Sequence, residues 1–176
     1  MRSETTPHSE STASGATDRV VTRMNVLASA AQVWTSLMYY ESIEESPPWL
    51  LRVLLPRPIR TVGSKSAVGD QATCLYEGGH LLKQVTRLER RRLYEFCVVE
   101  QNLRIGGRVA LSGGSYGLAE RPDGTTDLTV MTGYVSRNRP RWLALPVERL
   151  ACHLFHRHLL RSIKRKAEAG AAVPVV

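Results

Sequence analysis

Residues 139–168 constrain the fold more than any other stretch: RPRWLALPVERLACHLFHRHLLRSIKRKAE reads as one long helix from Pro140 onward. Leu143, Val147, Leu150, Leu154 and Phe155 recur at helical spacing, and Leu159 and Ile163 continue the stripe, so one face must be covered. Arg149, Arg157, Arg161, Lys164, Arg165 and Lys166 lie opposite. Their concentration in the last turns suits the negative end of the helix dipole, which explains them without a partner. Pro140 falls where a missing amide donor is tolerated; Pro146 marks either a kink or the true first turn. About thirty residues of helix span roughly 45 Å at 1.5 Å per residue, so the helix must lie across something broad.

The preceding residues supply a sheet. In 18–27 the series Val20, Thr22, Met24, Val26 gives the inner side of a first strand. Ser29 is a good N-cap for a short helix carrying Val33, Trp34, Leu37 and Met38. Ser46-Pro47-Pro48 ends it. Residues 49–55 form either a second short helix or an irregular apolar segment folding back on the first. Strand and turn signals then alternate. A short edge strand is expected at 59–62 and a longer one at 68–77, with a Gly78-Gly79 hairpin turn. Residues 80–88 return, and Arg90-Arg91-Arg92 forms a charged turn. The clearest strand follows at 93–100. Residues 108–120 contain Gly113-Gly114, a bulge or sharp bend. Pro122-Asp123-Gly124 makes a turn before the last strand at 125–135. Short connections imply antiparallel pairing. The expected fold class is α+β: a curved antiparallel sheet of six to seven strands wrapped around the C-terminal helix, with two short helices after strand one. Curvature of this kind leaves room for a cavity between helix and sheet.

Composition bounds the partners. With 176 residues, 43% of them hydrophobic, the chain suffices for one domain with a substantial core. We divide it into a disordered tail at 1–18, a folded domain at 19–168 and a flexible tail at 169–176. The first 18 residues are rich in Ser and Thr and have no apolar signal core. No apolar run approaches the roughly 18 residues needed to span a bilayer. Cys74, Cys97 and Cys152 are widely spaced and include no CxxC pair, which supports neither a disulfide framework nor a zinc site. A cytoplasmic location is expected. The 24 Lys and Arg against 16 acids, a formal charge of +8, suit a basic surface; no nucleic-acid motif accompanies them.

The order and spacing of several segments resemble the START-like, or SRPBCC, helix-grip superfamily, including its polyketide cyclase/dehydrase-like and birch-pollen-allergen-like groups. The resemblance rests on Ala31-Gln32-Val33-Trp34 after strand one, Val68-Gly69-Asp70, Gly78-Gly79, Val85-Thr86-Arg87-Leu88 and the strand at 93–100. It spans about residues 19–168. It implies a cavity for lipids, polyketides, hormones or similar apolar molecules, and no catalytic signature common to all members.

Alternation then proposes a lining. Tyr94, Phe96 and Val98 face inward from one strand, and Leu128, Val130 and Tyr134 from the last. The long helix presents Val147, Leu150, Leu154 and His158, while Trp34 and Met38 close one end. Ordinary core packing would account for each of these singly. Were the protein an enzyme, a polyketide cyclase or dehydratase, Tyr94, His158 and Arg87 are the acid/base and carbonyl-polarising candidates. Glu100 is a further polar candidate, and Glu148 is expected to pair with a neighbouring or strand arginine. Gly113-Gly114-Ser115-Tyr116-Gly117 matches GxSxG, but that motif needs a strand, turn and helix in a parallel sheet, and here another strand follows. Cys152, His153 and His156 have spacings a metal would accept, yet nothing supplies the remaining ligands, so no metal and no cofactor are expected. The expected partner is a hydrophobic small molecule, bound by a monomer or homodimer, without nucleic acid. The alternative is that the basic helix end, 157–166, docks on nucleic acid or on an anionic membrane surface.

Overall fold

The computed structural model describes residues 17–38, 58–103, 105 and 108–171. Strand β1, Asp18–Val26, leads into helix α1, Ala30–Met38. Six strands follow: β2, Pro58–Gly63; β3, Gln71–Tyr76; β4, Gly79–Glu89; β5, Leu93–Asn102; β6, Val109–Glu120; β7, Thr126–Ser136. Helix α2, Arg141–Ala171, closes the chain and runs unbroken through Pro146. The sheet is antiparallel in the order β1-β7-β6-β5-β4-β3-β2. β2 to β7 form a meander, and β1 adds to the outer edge of β7, with Asp18 opposite Tyr134 and Val26 opposite Thr126. The segment 49–55, read as a second short helix or a folded-back segment, lies outside the described residues.

Local chemistry sets the boundaries. Ser29 caps α1 as half of a capping box: its amide donates to Gln32 Oε1 at 3.0 Å, and its hydroxyl accepts from the Gln32 amide at 3.4 Å. The β3–β4 turn is Glu77-Gly78 rather than Gly78-Gly79. Gly78 takes φ +86°, and Gly79 already pairs with Tyr76. The strand expected from residue 68 begins only at Gln71. Its first residues form a loop around the Asp70 carboxylate, which accepts from the Ser66 and Ala67 amides at 2.8 and 3.0 Å.

The core sits where α2 packs against α1, β1 and β7. Val26, Val33, Leu128, Leu160 and Ile163 are fully buried there. The phase of α2 differs from the apolar stripe. Leu159 and Ile163 are buried as expected, but Leu143, Val147 and Leu150 are each more than half exposed. The inward seats over the middle of the helix belong to Cys152, His156 and Leu160. His156 can face the sheet because Thr22 and Thr132 hydrogen-bond it there, and Cys152 Sγ lies against its Nε2, so the buried line runs off the apolar one.

The start of α2 is fastened by Glu148. It accepts from Ser136 Oγ at 2.6 Å, from Asn138 Nδ2 at 2.9 Å and from Arg141 Nη1 at 2.6 Å, and Arg141 also pairs with Asp18. The partner is thus an arginine of its own helix rather than of a strand. Burial works against the carboxylate, but these donors outweigh it and hold its pKa below the ordinary value. Glu148→Ala removes a largely buried acceptor of charge-assisted bonds, and should cost about 2 kcal/mol in urea unfolding. An unchanged midpoint would show that the network contributes nothing net.

Candidate functional site

Over β3 to β6 the space between sheet and α2 is a cavity of about 660 Å³, within the usual range for small-molecule sites. Its floor is aromatic. Tyr94 stacks on Tyr116 with ring centroids 5.9 Å apart and meets Phe96 at 5.7 Å. The floor is shaped by Gly114: a Cβ there would lie 2.7 Å from the Met131 carbonyl and 3.0 Å from Phe96 Cζ, so a side chain would displace the Phe96 ring.

Of the residues singled out by alternation, Tyr94, Phe96, Val98, Val130, Tyr134 and Val147 line this cavity. Leu128, Trp34, Met38, Leu150 and Leu154 are not in its wall. Leu128 is fully buried in the core and Trp34 packs against it, leaving Leu37 as the α1 residue that reaches the cavity. Leu150 faces solvent, and Leu154 is half-buried outside the cavity wall.

Two acid/base candidates are displaced. Arg87 is exposed and pairs with Glu89. A bulge between Val85 and Arg87 inserts one residue, so Leu88 takes the inward seat opposite Tyr94 and Arg87 turns out. His158 is buried but does not line the cavity. His156, two residues earlier, does and is fully buried. Its Nε2 lies 2.8 Å from Thr132 Oγ1 and its Nδ1 3.0 Å from Thr22 Oγ1, which is itself 2.9 Å from His153 Nδ1. The Thr22 hydroxyl carries one proton, so at least one of the two imidazoles donates to its oxygen. Burial, with His153 nearby, lowers the His156 pKa to about 4, so the ring is neutral at physiological pH. Cys152 Sγ is 3.5 Å from His156 Nε2, and burial pushes its thiol up to about 11. It is not a thiolate nucleophile.

Sequence reading also missed Lys83, which lines the cavity between the inward-facing Leu81 and Val85. A lysine in a strand defaults to solvent. The available signal was its place in the same alternating set as those two apolar neighbours. Tyr134 Oη is buried and makes no hydrogen bond among the described residues. Ser115 of the GxSxG match lies in mid-strand, opposite Glu95 on one side and Met131 on the other, with no elbow. No group of three or more His, Cys, Asp or Glu among the described residues could hold a metal. At the basic helix end Lys164 reaches back to the Asn25 carbonyl at 3.0 Å and to Glu168 at 3.3 Å. Among the described residues no helix is long and apolar enough to cross a membrane.

A seven-stranded antiparallel sheet gripping one long C-terminal helix over a cavity is a helix-grip fold, the architecture of START-like proteins. No protein-family model matches the chain and no curated protein does, but solved structures do. The chain is similar to the Zhui aromatase/cyclase of a Streptomyces species, with TM-score 0.61 and 13% identity over 87% of this chain and 94% of that one. It is similar to a START superfamily protein of Mycobacterium smegmatis, with TM-score 0.61 and 12% identity over 86% and 97%. It is also similar to a point mutant of Thalictrum norcoclaurine synthase in complex with a transition-state analogue, with TM-score 0.58 and 16% identity over 90% and 99%. At such identities the likeness is one of fold.

Proposed function

We propose that this protein binds an apolar or amphipathic small molecule, lipid-like or polyketide-like, between the sheet and α2. The observation that carries the reading is the cavity of about 660 Å³, apolar and aromatic in its wall yet containing isolated polar groups such as Tyr134 Oη. A wall of that kind excludes water and orients a ligand by a few hydrogen bonds. Fold neighbours that include an aromatase/cyclase and an enzyme–analogue complex support it. The test is fluorescence titration with N-phenyl-1-naphthylamine. Val98→Trp, which fills part of the cavity from β5, should weaken binding at least tenfold while thermal stability stays near that of the parent. A folded Val98→Trp protein that binds the dye as before would remove the cavity as the site.

Cyclase or dehydratase chemistry is the second reading, favoured by Tyr94, Lys83 and His156 standing in one cavity wall. It ranks below binding because the groups are tuned away from neutrality. His156 is lowered to about 4, and burial raises the Tyr94 phenol against the pull of Lys83. A general base works best with a pKa near the operating pH.

A further inference from the structure

We propose that the ligand of this cavity is an apolar acid whose carboxylate pairs with Lys83. This deepens the binding reading and rests on it. Lys83 stands on the cavity side of β4, between Leu81 and Val85, each 3% exposed or less. Its Nζ lies 4.6 Å from the Phe96 ring centroid, above the aromatic floor. No carboxylate among the described residues lies within ion-pair distance of it, although six other such pairs exist among them.

The wall around it is short of negative charge. Arg60, Lys65 and Arg139 also line the cavity, and among the described residues the one carboxylate that does, Glu148, is held by Arg141, Ser136 and Asn138. Burial works against the Lys83 ammonium, while Cys74, Tyr116 and Tyr94 favour it by more, Cys74 also through a side-chain hydrogen bond, so its pKa stands above the ordinary value. A cation–π contact with Phe96 and a hydrogen bond with Cys74 offset only part of the cost of desolvating an ammonium. A ligand anion supplies the rest, and a low-dielectric wall strengthens that pairing. One ammonium over an aromatic floor suits a single negative charge on an apolar body. A doubly charged phosphate would need a second cation beside Lys83, and among the described residues Phe96 carries only Lys83 over its ring.

The experiment is displacement of N-phenyl-1-naphthylamine by three ligands with the same chain: dodecanoic acid, dodecanol and dodecyl phosphate. The parent protein should bind the acid at least tenfold more tightly than the alcohol, and more tightly than the phosphate. Lys83→Met should abolish the preference, weakening the acid about tenfold and leaving the alcohol within about twofold. Lys83→Arg should keep it. Acid and alcohol bound equally by the parent would overturn the proposal without any variant, and leave the cavity reading intact provided Val98→Trp weakens both. A preference for the phosphate, or an equal loss of acid and alcohol in Lys83→Met, would also overturn it. If none of the three displaces the dye, the proposal falls, and if the dye itself fails to bind, the cavity reading falls with it.

Discussion

Acidification from pH 7 to pH 5 should destabilise the folded protein by about 2 kcal/mol through His156 alone, and by about 3 kcal/mol at pH 4. In the unfolded chain the imidazole takes its proton near 6.5, whereas in the fold it resists protonation down to about 4. Between those values the unfolded state binds more protons, so stability rises with pH through this window. The contribution is complete above about 6.5 and is lost as pH falls toward 4. Burial is the main cause, because Thr22 and Thr132 satisfy a neutral ring but supply no counter-charge. The carboxylate of Glu148, lowered from 4.5, adds a loss of the same sign only at more acid pH. Urea midpoints measured at pH 7 and pH 5 for the parent and for His156→Gln decide the matter. The parent should lose stability and the variant, which keeps a hydrogen-bonding side chain without the titration, should lose much less. Equal slopes in the two proteins would clear His156 of the effect.

Leu160→Ala should cost about 3 kcal/mol, since it deletes a fully buried side chain where α2 meets the core and leaves a cavity behind. Leu150→Ala, at a position 59% exposed, should stay within about 0.5 kcal/mol. The pair tests the rotation of α2 about its axis. If Leu150→Ala proves the more costly, the helix presents to the sheet the face its apolar spacing suggests, and the seats given to Cys152 and His156 are wrong.

That rotation shows why some of the site was legible and some was not. Strand faces could be read because a period of two is enforced by the backbone itself: Tyr94, Phe96 and Val98 on β5, and Val130 and Tyr134 on β7, reach the cavity as alternation placed them. Alternation would not have placed Arg87, because the bulge after Val85 shifts the period by one and no residue type there announces it. Lys83 was overlooked for the opposite reason. It obeys the alternation, but a charged side chain is assumed to point to water unless something across the cavity argues otherwise. His156 was passed over for His158 because its burial depends on Thr22, 134 residues earlier in the chain.

By itself the sequence determined the succession of strands, the antiparallel meander, the capped short helix and the one long helix that a broad sheet must receive. These follow from short-range rules: side-chain period, turn residues and capping groups within a few positions of each other. Only the tertiary structure decided that β1 pairs with β7, which face of α2 is buried, and which polar groups the cavity holds. Each of those depends on partners brought together from separate elements, up to 134 residues apart for Thr22 and His156. A buried polar group is tolerated only where a distant strand or helix brings it a hydrogen bond, and no local pattern encodes that meeting.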